Sequence, residues 1–303
     1  MSSSAASSLV TPTLKPLLGI GLMTAAMMVL PGIDVLAKFL GAAGLPILVV
    51  VWARALFGTI LVVPLVVRSA GLAGLRPQNL RYHIARAFLL YSSTWLFFSA
   101  LKYLPIADAM AIFFINPLIV TLLAALVLRE RVGPKRWAAV AVGFIGTLII
   151  IRPGMVEMNQ GTLLALAAGV SVGSYFVMTH ARAGRDDANV LTFHTSLIGT
   201  LAMTAMLPMA WQMPDATQWL MLIALGLIAT TGHLLITFAY KQAEASLLAP
   251  LAFVEIIMAV FFGWWFFAEL PDRWTILGVA ILISSAIYIS LRTRKVAKAQ
   301  AQG

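Results

Sequence analysis

Ten apolar runs, each close to the ~20 residues that a helix needs to cross a bilayer core, set the limits on what this chain can fold into. They cover roughly 17–39, 46–67, 83–101, 105–128, 136–152, 160–180, 189–210, 217–240, 246–268 and 274–291. The links between them are short. Only 68–82 and 181–188 carry much polar length, so no soluble domain is inserted. In hydrocarbon the backbone must satisfy its own polar groups, so runs of this length form helices. Composition agrees: 11% of the residues are charged, against about 25% in a soluble domain. The expected fold is an all-α integral membrane protein of ten transmembrane helices. Residues 1–16, rich in Ser, Ala and Thr, read as a disordered tail without the basic n-region of a signal peptide. Residues 292–303 read as a basic tail.

The formal net charge is +10. In a soluble protein that would suggest nucleic acid. Here the placement of the charges decides otherwise. With the N-terminus inside, 16 of the 21 Lys and Arg residues fall in cytoplasmic segments. They include Arg68, Arg76, Arg81 and Arg86 in one segment and Arg292, Arg294, Lys295 and Lys298 in another. This bias predicts both termini in the cytoplasm and contact between that face and anionic lipids. The chain has no cysteine, so disulfide, iron–sulfur and thiol chemistry are excluded.

Ala100–Glu130 and Ala239–Glu269 resemble each other at a constant shift of 139 residues. Lys102 falls on Lys241, Asn116 on Glu255, and Glu130 on Glu269. Five spans per half is an odd number, so the halves enter the membrane in opposite senses. The pattern predicts two inverted repeats, 17–152 and 160–291, that rock about a midplane site.

Four stretches carry a resemblance to a known family. They are W-A-R-A-L-F-G at Trp52–Gly58, the Pro-containing fourth span ending L-R-E at 128–130, the ninth span ending in Glu269, and W-T-I-L-G-V-A-I-L at Trp274–Leu282. Together with ten spans in two halves they resemble the EamA-type members of the drug/metabolite transporter superfamily. The resemblance implies transport of small metabolites such as amino acids, nucleotide-like solutes or vitamins, in a bacterial inner membrane. It leaves the substrate open.

Ionisable groups within spans are costly and are candidates for function. Arg54, Asn116 and Glu255 fall near mid-membrane. Arg54 keeps its charge and must face a partner, a cavity or a substrate anion. Glu255, with no charged neighbour nearby in its own helix, can trade a proton or bind an amine; a fixed ion pair with Arg54 is the alternative. His233 can relay protons with Glu255 or serve only in packing. Tyr91 and Trp95, at i and i+4, share a helix face. With Phe98, Phe113, Phe114 and Tyr175 they suggest an aromatic cavity. Asn116-Pro117 and Pro31-Gly32 interrupt their spans and free backbone carbonyls. Asp34 and Lys38, at i and i+4, are expected to pair. Glu130 and Glu269 read as anchors, the latter compensated by Arg273. Gly169 and Gly173 read as a close-packing motif.

These residues point to a secondary transporter of a small organic metabolite, with protons as a coupling candidate. A passive channel and a membrane-embedded lipid-modifying enzyme are the alternatives. No Walker motif provides ATP drive. No spacing suits a metal, no cofactor is implied, and nothing indicates an oligomer.

Overall fold

The computed structural model describes residues 16–127, 129, 134–151, 159–182, 186–242, 251 and 253–284. Every regular element among them is helical. The helices are α1 (Pro16–Val29), α2 (Gly32–Ala42), α3 (Ile47–Ala70), α4 (Leu80–Ala100), α5 (Ile106–Phe113), α6 (Asn116–Leu126), α7 (Pro134–Ile151), α8 (Gln160–Arg182), α9 (Ala188–Met206), α10 (Ala216–Gln242) and α11 (Phe253–Phe267). A twelfth, α12, spans Arg273–Ser284. Short 3-10 turns follow α3 and α9.

Six stretches are long and apolar enough to cross a membrane: Leu17–Ala42, Ile47–Ala70, Ile106–Leu123, Gln160–Thr179, Ala188–Met209 and Ala216–Ala239. The chain is a multi-pass integral membrane protein. The predicted run 83–101 falls on α4, whose first turns carry Arg81, His83 and Arg86. The apolar parts of α7, α11 and α12 are shorter.

Two spans are broken at prolines, whereas Pro64 sits inside α3 without ending it. The first breaks at Leu30-Pro31, between α1 and α2. The fourth breaks at Phe114-Ile115, and α6 restarts at Asn116 with Pro117 in its first turn. Proline at residue 117 has no N–H for the carbonyl four residues back, which is that of Phe113. The Asn116 side-chain amide donates to that oxygen instead, at 3.1 Å. The break rests on α8. A Cβ on Gly169 would lie 2.7 Å from the Phe113 carbonyl oxygen, and one on Gly173 3.0 Å from that of Asn116. The two glycines therefore admit the irregular backbone where a side chain would block it.

Helix partners follow a pattern. α4 packs mainly on α8, α3 on α9, and α1 and α2 on α10. α3 and α9 run antiparallel: Trp52 meets Thr204 at 3.0 Å, Thr59 meets Thr200 at 3.1 Å, and Ser69 meets Asp187 at 3.4 Å. Asp187 caps the start of α9 by accepting from the backbone N–H groups of Asn189 and Val190. The main core runs through these contacts and includes Leu40, Val49, Val51, Leu222, Leu225 and Ile256. Trp264, Trp265 and Phe266 are exposed, as an aromatic belt at a membrane interface requires.

Two expected ion pairs are corrected. Asp34 does not pair with Lys38. Lys38 reaches across to Glu269, at 2.5 and 2.7 Å to its two carboxylate oxygens. Glu269 also accepts from the Ile106 N–H at the start of α5, at 3.3 Å. Lys38, and not Arg273, is therefore the counter-ion. The chain delivers Glu269 to this place by a left-handed turn at Ala268, φ 55°. There the N–H groups of Ala268 and Glu269 close back on the carbonyls of Trp264 and Gly263. Glu130 lies outside the described residues.

Candidate functional site

Arg54 lies within α3, and the residue one turn on is Gly58. A Cβ at Gly58 would come within 2.7 Å of the Thr230 hydroxyl and 3.5 Å of that of Ser196. The missing side chain lets α9 and α10 approach α3. Gly226 does the same from α10, where a Cβ would lie 2.5 Å from that of Phe57. This close approach brings Arg54 to His233.

The Arg54 guanidinium donates from Nη1 to the Thr94 hydroxyl of α4 and lies 3.2 Å from His233 Nε2 of α10. Thr94 passes its own proton to the Leu90 carbonyl at 2.9 Å, so its oxygen is free to accept. Arginine only donates. His233 Nε2 must then be the acceptor, which places the imidazole proton on Nδ1. Tyr91, one turn before Trp95 on α4, lies in electrostatic range of Arg54. Asp34 and Tyr175 are within the same range of Arg54, and Glu255 is within that of Asp34.

Both carboxylates lie in the first turn of a helix, Asp34 in α2 and Glu255 in α11. The positive end of the helix dipole favours an anion there. Arg54 and Glu255 are densely surrounded by protein yet keep some accessible surface. The arrangement joins one guanidinium, a carboxyl, an imidazole and a phenol, contributed by α3, α2, α10 and α4, with the Glu255 carboxyl of α11 in electrostatic range of Asp34.

The structure thus brings together Arg54, His233 and Tyr91, while Glu255 is linked to this group through Asp34. Asp34 joins them, which the sequence reading missed by pairing it with Lys38. The Pro31-Gly32 break was the signal: an acid two residues beyond it starts a new helix and turns toward the core. Asn116 does not join. Its amide is engaged with Phe113. Trp95 instead lines a groove of ≈ 390 Å³ between α4 and α9, with Phe88, Ile198, Gly199 and Met203, and Tyr91 at its base. The six aromatics do not form one cavity. Phe98 and Phe114 are buried in the core, Phe113 packs on Phe97 at 4.9 Å, and Tyr175 holds Arg86. Among the described residues, no cluster of three His, Cys, Asp or Glu side chains could hold a metal ion.

The comparisons with known proteins bear on what such a site serves. The model of the EamA-like transporter family matches residues 17–152 and again 159–291. A riboflavin transporter of Vibrio cholerae is 30% identical over 249 residues, covering 82% of this chain and 84% of that protein. An S-adenosylmethionine uptake transporter of Rickettsia conorii is 25% identical over 282 residues, covering 92% of this chain and 94% of the relative. A pseudopaline exporter of Pseudomonas aeruginosa is 27% identical over 259 residues, covering 84% and 89%. A solved protein crystal structure aligns with TM-score 0.69 over 91% of this chain and 98% of its own, at 19% identity, which shows the fold. The lipid-modifying enzyme alternative falls with these matches. With two copies of the family model spanning it from residue 17 to 291, the chain belongs to the EamA-like transporter family.

Proposed function

We propose that this protein is a secondary carrier that moves a small organic metabolite across a bacterial inner membrane by alternating access. The observation that carries this reading is the meeting of Arg54 with His233, side chains of opposite halves, within electrostatic range of Asp34, which in turn senses Glu255. A polar site between two halves is where a carrier holds its solute. Counting charges sharpens it. With both carboxyls ionised, His233 neutral and Arg54 positive, the group is one negative charge in excess. One proton or one cationic group of a solute fills that deficit. Competition between the two couples their movements. The relatives named for riboflavin and S-adenosylmethionine support a solute of metabolite size, and the second of these carries a positive charge.

The halves, 17–152 and 160–291, are read as two five-helix units of opposite orientation, with both termini cytoplasmic. Two features support this. The 139-residue shift carries α3 onto 186–209, the stretch of α9 and its following turn, and these two helices run antiparallel. The same shift carries Arg129 onto Ala268, and both residues have φ 55°. Those are the two non-glycine residues with positive φ among the described residues. Each directly precedes one of the paired glutamates.

Flux in proteoliposomes tests the reading. Loaded and unloaded vesicles are compared for uptake of riboflavin, S-adenosylmethionine and amino acids. Saturable counterflow of one of these is expected. Electrical conductance without saturation would mean a channel instead.

A further inference from the structure

Arg86 is 1% exposed, and among the described residues no carboxylate forms a salt bridge with it. The positive-charge count on the sequence assigned it to a cytoplasmic segment; the structure buries it between α4, α8 and α9. Its hydrogen bonds all go to neutral oxygens. Nε and Nη2 donate to the Thr179 hydroxyl at 3.3 and 3.2 Å, Nη2 to the Tyr175 hydroxyl at 3.3 Å, and Nη1 to the Leu191 carbonyl at 3.2 Å. These are long beside the ~2.7–2.9 Å of a guanidinium bonded to an anion. The rings of Tyr175 and Tyr82 lie 5.0 and 5.8 Å from its centre. Of the two carboxylates at this end, Asp186 is paired with Arg182 at 3.7 Å and Asp187 caps α9.

A second observation lies beside it. His83, one turn before Arg86 on α4, stacks on His194 of α9 with ring centres 4.6 Å apart. Both rings are buried, at 5% and 2% exposure. His194 Nδ1 donates to the Val190 carbonyl at 2.9 Å. Its Nε2 and the Nδ1 of His83 have no partner. One layer of the bundle therefore holds a buried cation bonded only to neutral oxygens and two orphaned imidazole nitrogens, each costly in a buried place.

We propose that Arg86 and the Nδ1–H of His83, whose ring stacks on His194, form a binding station for an oxyanion, a carboxylate or phosphate group. The neutral oxygens of Tyr175 and Thr179 hold its place while the helix ends are closed. The anion is either part of the carried solute or an anionic lipid headgroup. Only the first source rests on the carrier reading.

Thermal unfolding of the purified full chain in detergent tests the station, with potassium phosphate replacing potassium chloride at constant ionic strength. Phosphate is expected to raise the wild-type midpoint saturably. Arg86→Gln should abolish the rise, moving half-saturation by about tenfold or more. Tyr175→Phe removes a competing acceptor and should move half-saturation severalfold lower. If Arg86→Gln yields no folded protein, Tyr175→Phe decides, because a mere brace predicts lower stability with unchanged phosphate dependence. The station is overturned if wild type shows no rise, if Arg86→Gln rises equally, or if Tyr175→Phe leaves half-saturation unmoved. Nanodiscs separate the sources. A phosphate effect lost in phosphatidylglycerol but kept in phosphatidylcholine assigns the station to lipid. An effect kept in both assigns it to solute. Phosphate binding without solute flux in proteoliposomes would remove the carrier reading and leave the station standing.

Discussion

At the scale of single residues, the energetics of buried charge govern what can be substituted. Glu255 holds one of the two carboxyls of the central group. Glu255→Gln keeps the shape and removes the exchangeable charge. The mutant is expected to stay folded and to lose flux driven by a pH gradient; unchanged pH-driven flux would end the coupling role. Arg54→Lys keeps the charge but not the fork that spans Thr94 and His233. Its affinity for the carried solute should fall about tenfold or more, the worth of a hydrogen bond to a charged group. A protein that no longer folds in detergent would instead make Arg54 a structural brace. Lys38→Met strands Glu269, whose side chain is 27% exposed against 15% for Lys38. That places the expected loss at roughly 1–3 kcal/mol, between surface and buried pairs, readable as a lower unfolding midpoint.

At the scale of elements, glycines decide which helices touch. GxxxG in α8 was legible as a close-packing signal, since glycine lets backbones approach. Its partner was not legible, because the motif says nothing of what approaches. The structure supplies the α5–α6 break. Gly169→Ala should cost about 1–3 kcal/mol by overpacking, because the new Cβ meets a carbonyl oxygen that cannot move without its helix. Gly263→Ala is the contrast: its nearest contact would be 3.5 Å away. It should be neutral or slightly stabilising by helix propensity. Comparable losses in both mutants would refute the account of the break. The proline breaks themselves were readable, since a missing N–H is a property of the residue. The repair by Asn116 was not, because it depends on a side-chain rotamer.

At the scale of the whole molecule, the antiparallel pairing of α3 with α9 is open to a direct test. The chain lacks cysteine, so the background is clean. Thr59→Cys with Thr200→Cys should cross-link readily, since the two hydroxyl oxygens are 3.1 Å apart. Thr59→Cys with Asn189→Cys should not. Reversed yields would overturn the packing of the halves. Hydropathy, additive along the chain, determined by itself that this is a helical membrane protein, and the resemblance of stretches such as Trp52–Gly58 and Trp274–Leu282 implied the transporter class. The 139-residue shift was additive in the same way. Which charges meet was decided by tertiary structure alone. Spacing along a helix joined Asp34 to Lys38, but a helix restart and a left-handed turn at Ala268 gave Lys38 to Glu269 and left Asp34 near Arg54. Arg86 looked like a cytoplasmic-face charge until α8 and α9 closed over it. Partner choice between helices depends on three-dimensional approach, which a linear sequence specifies without displaying.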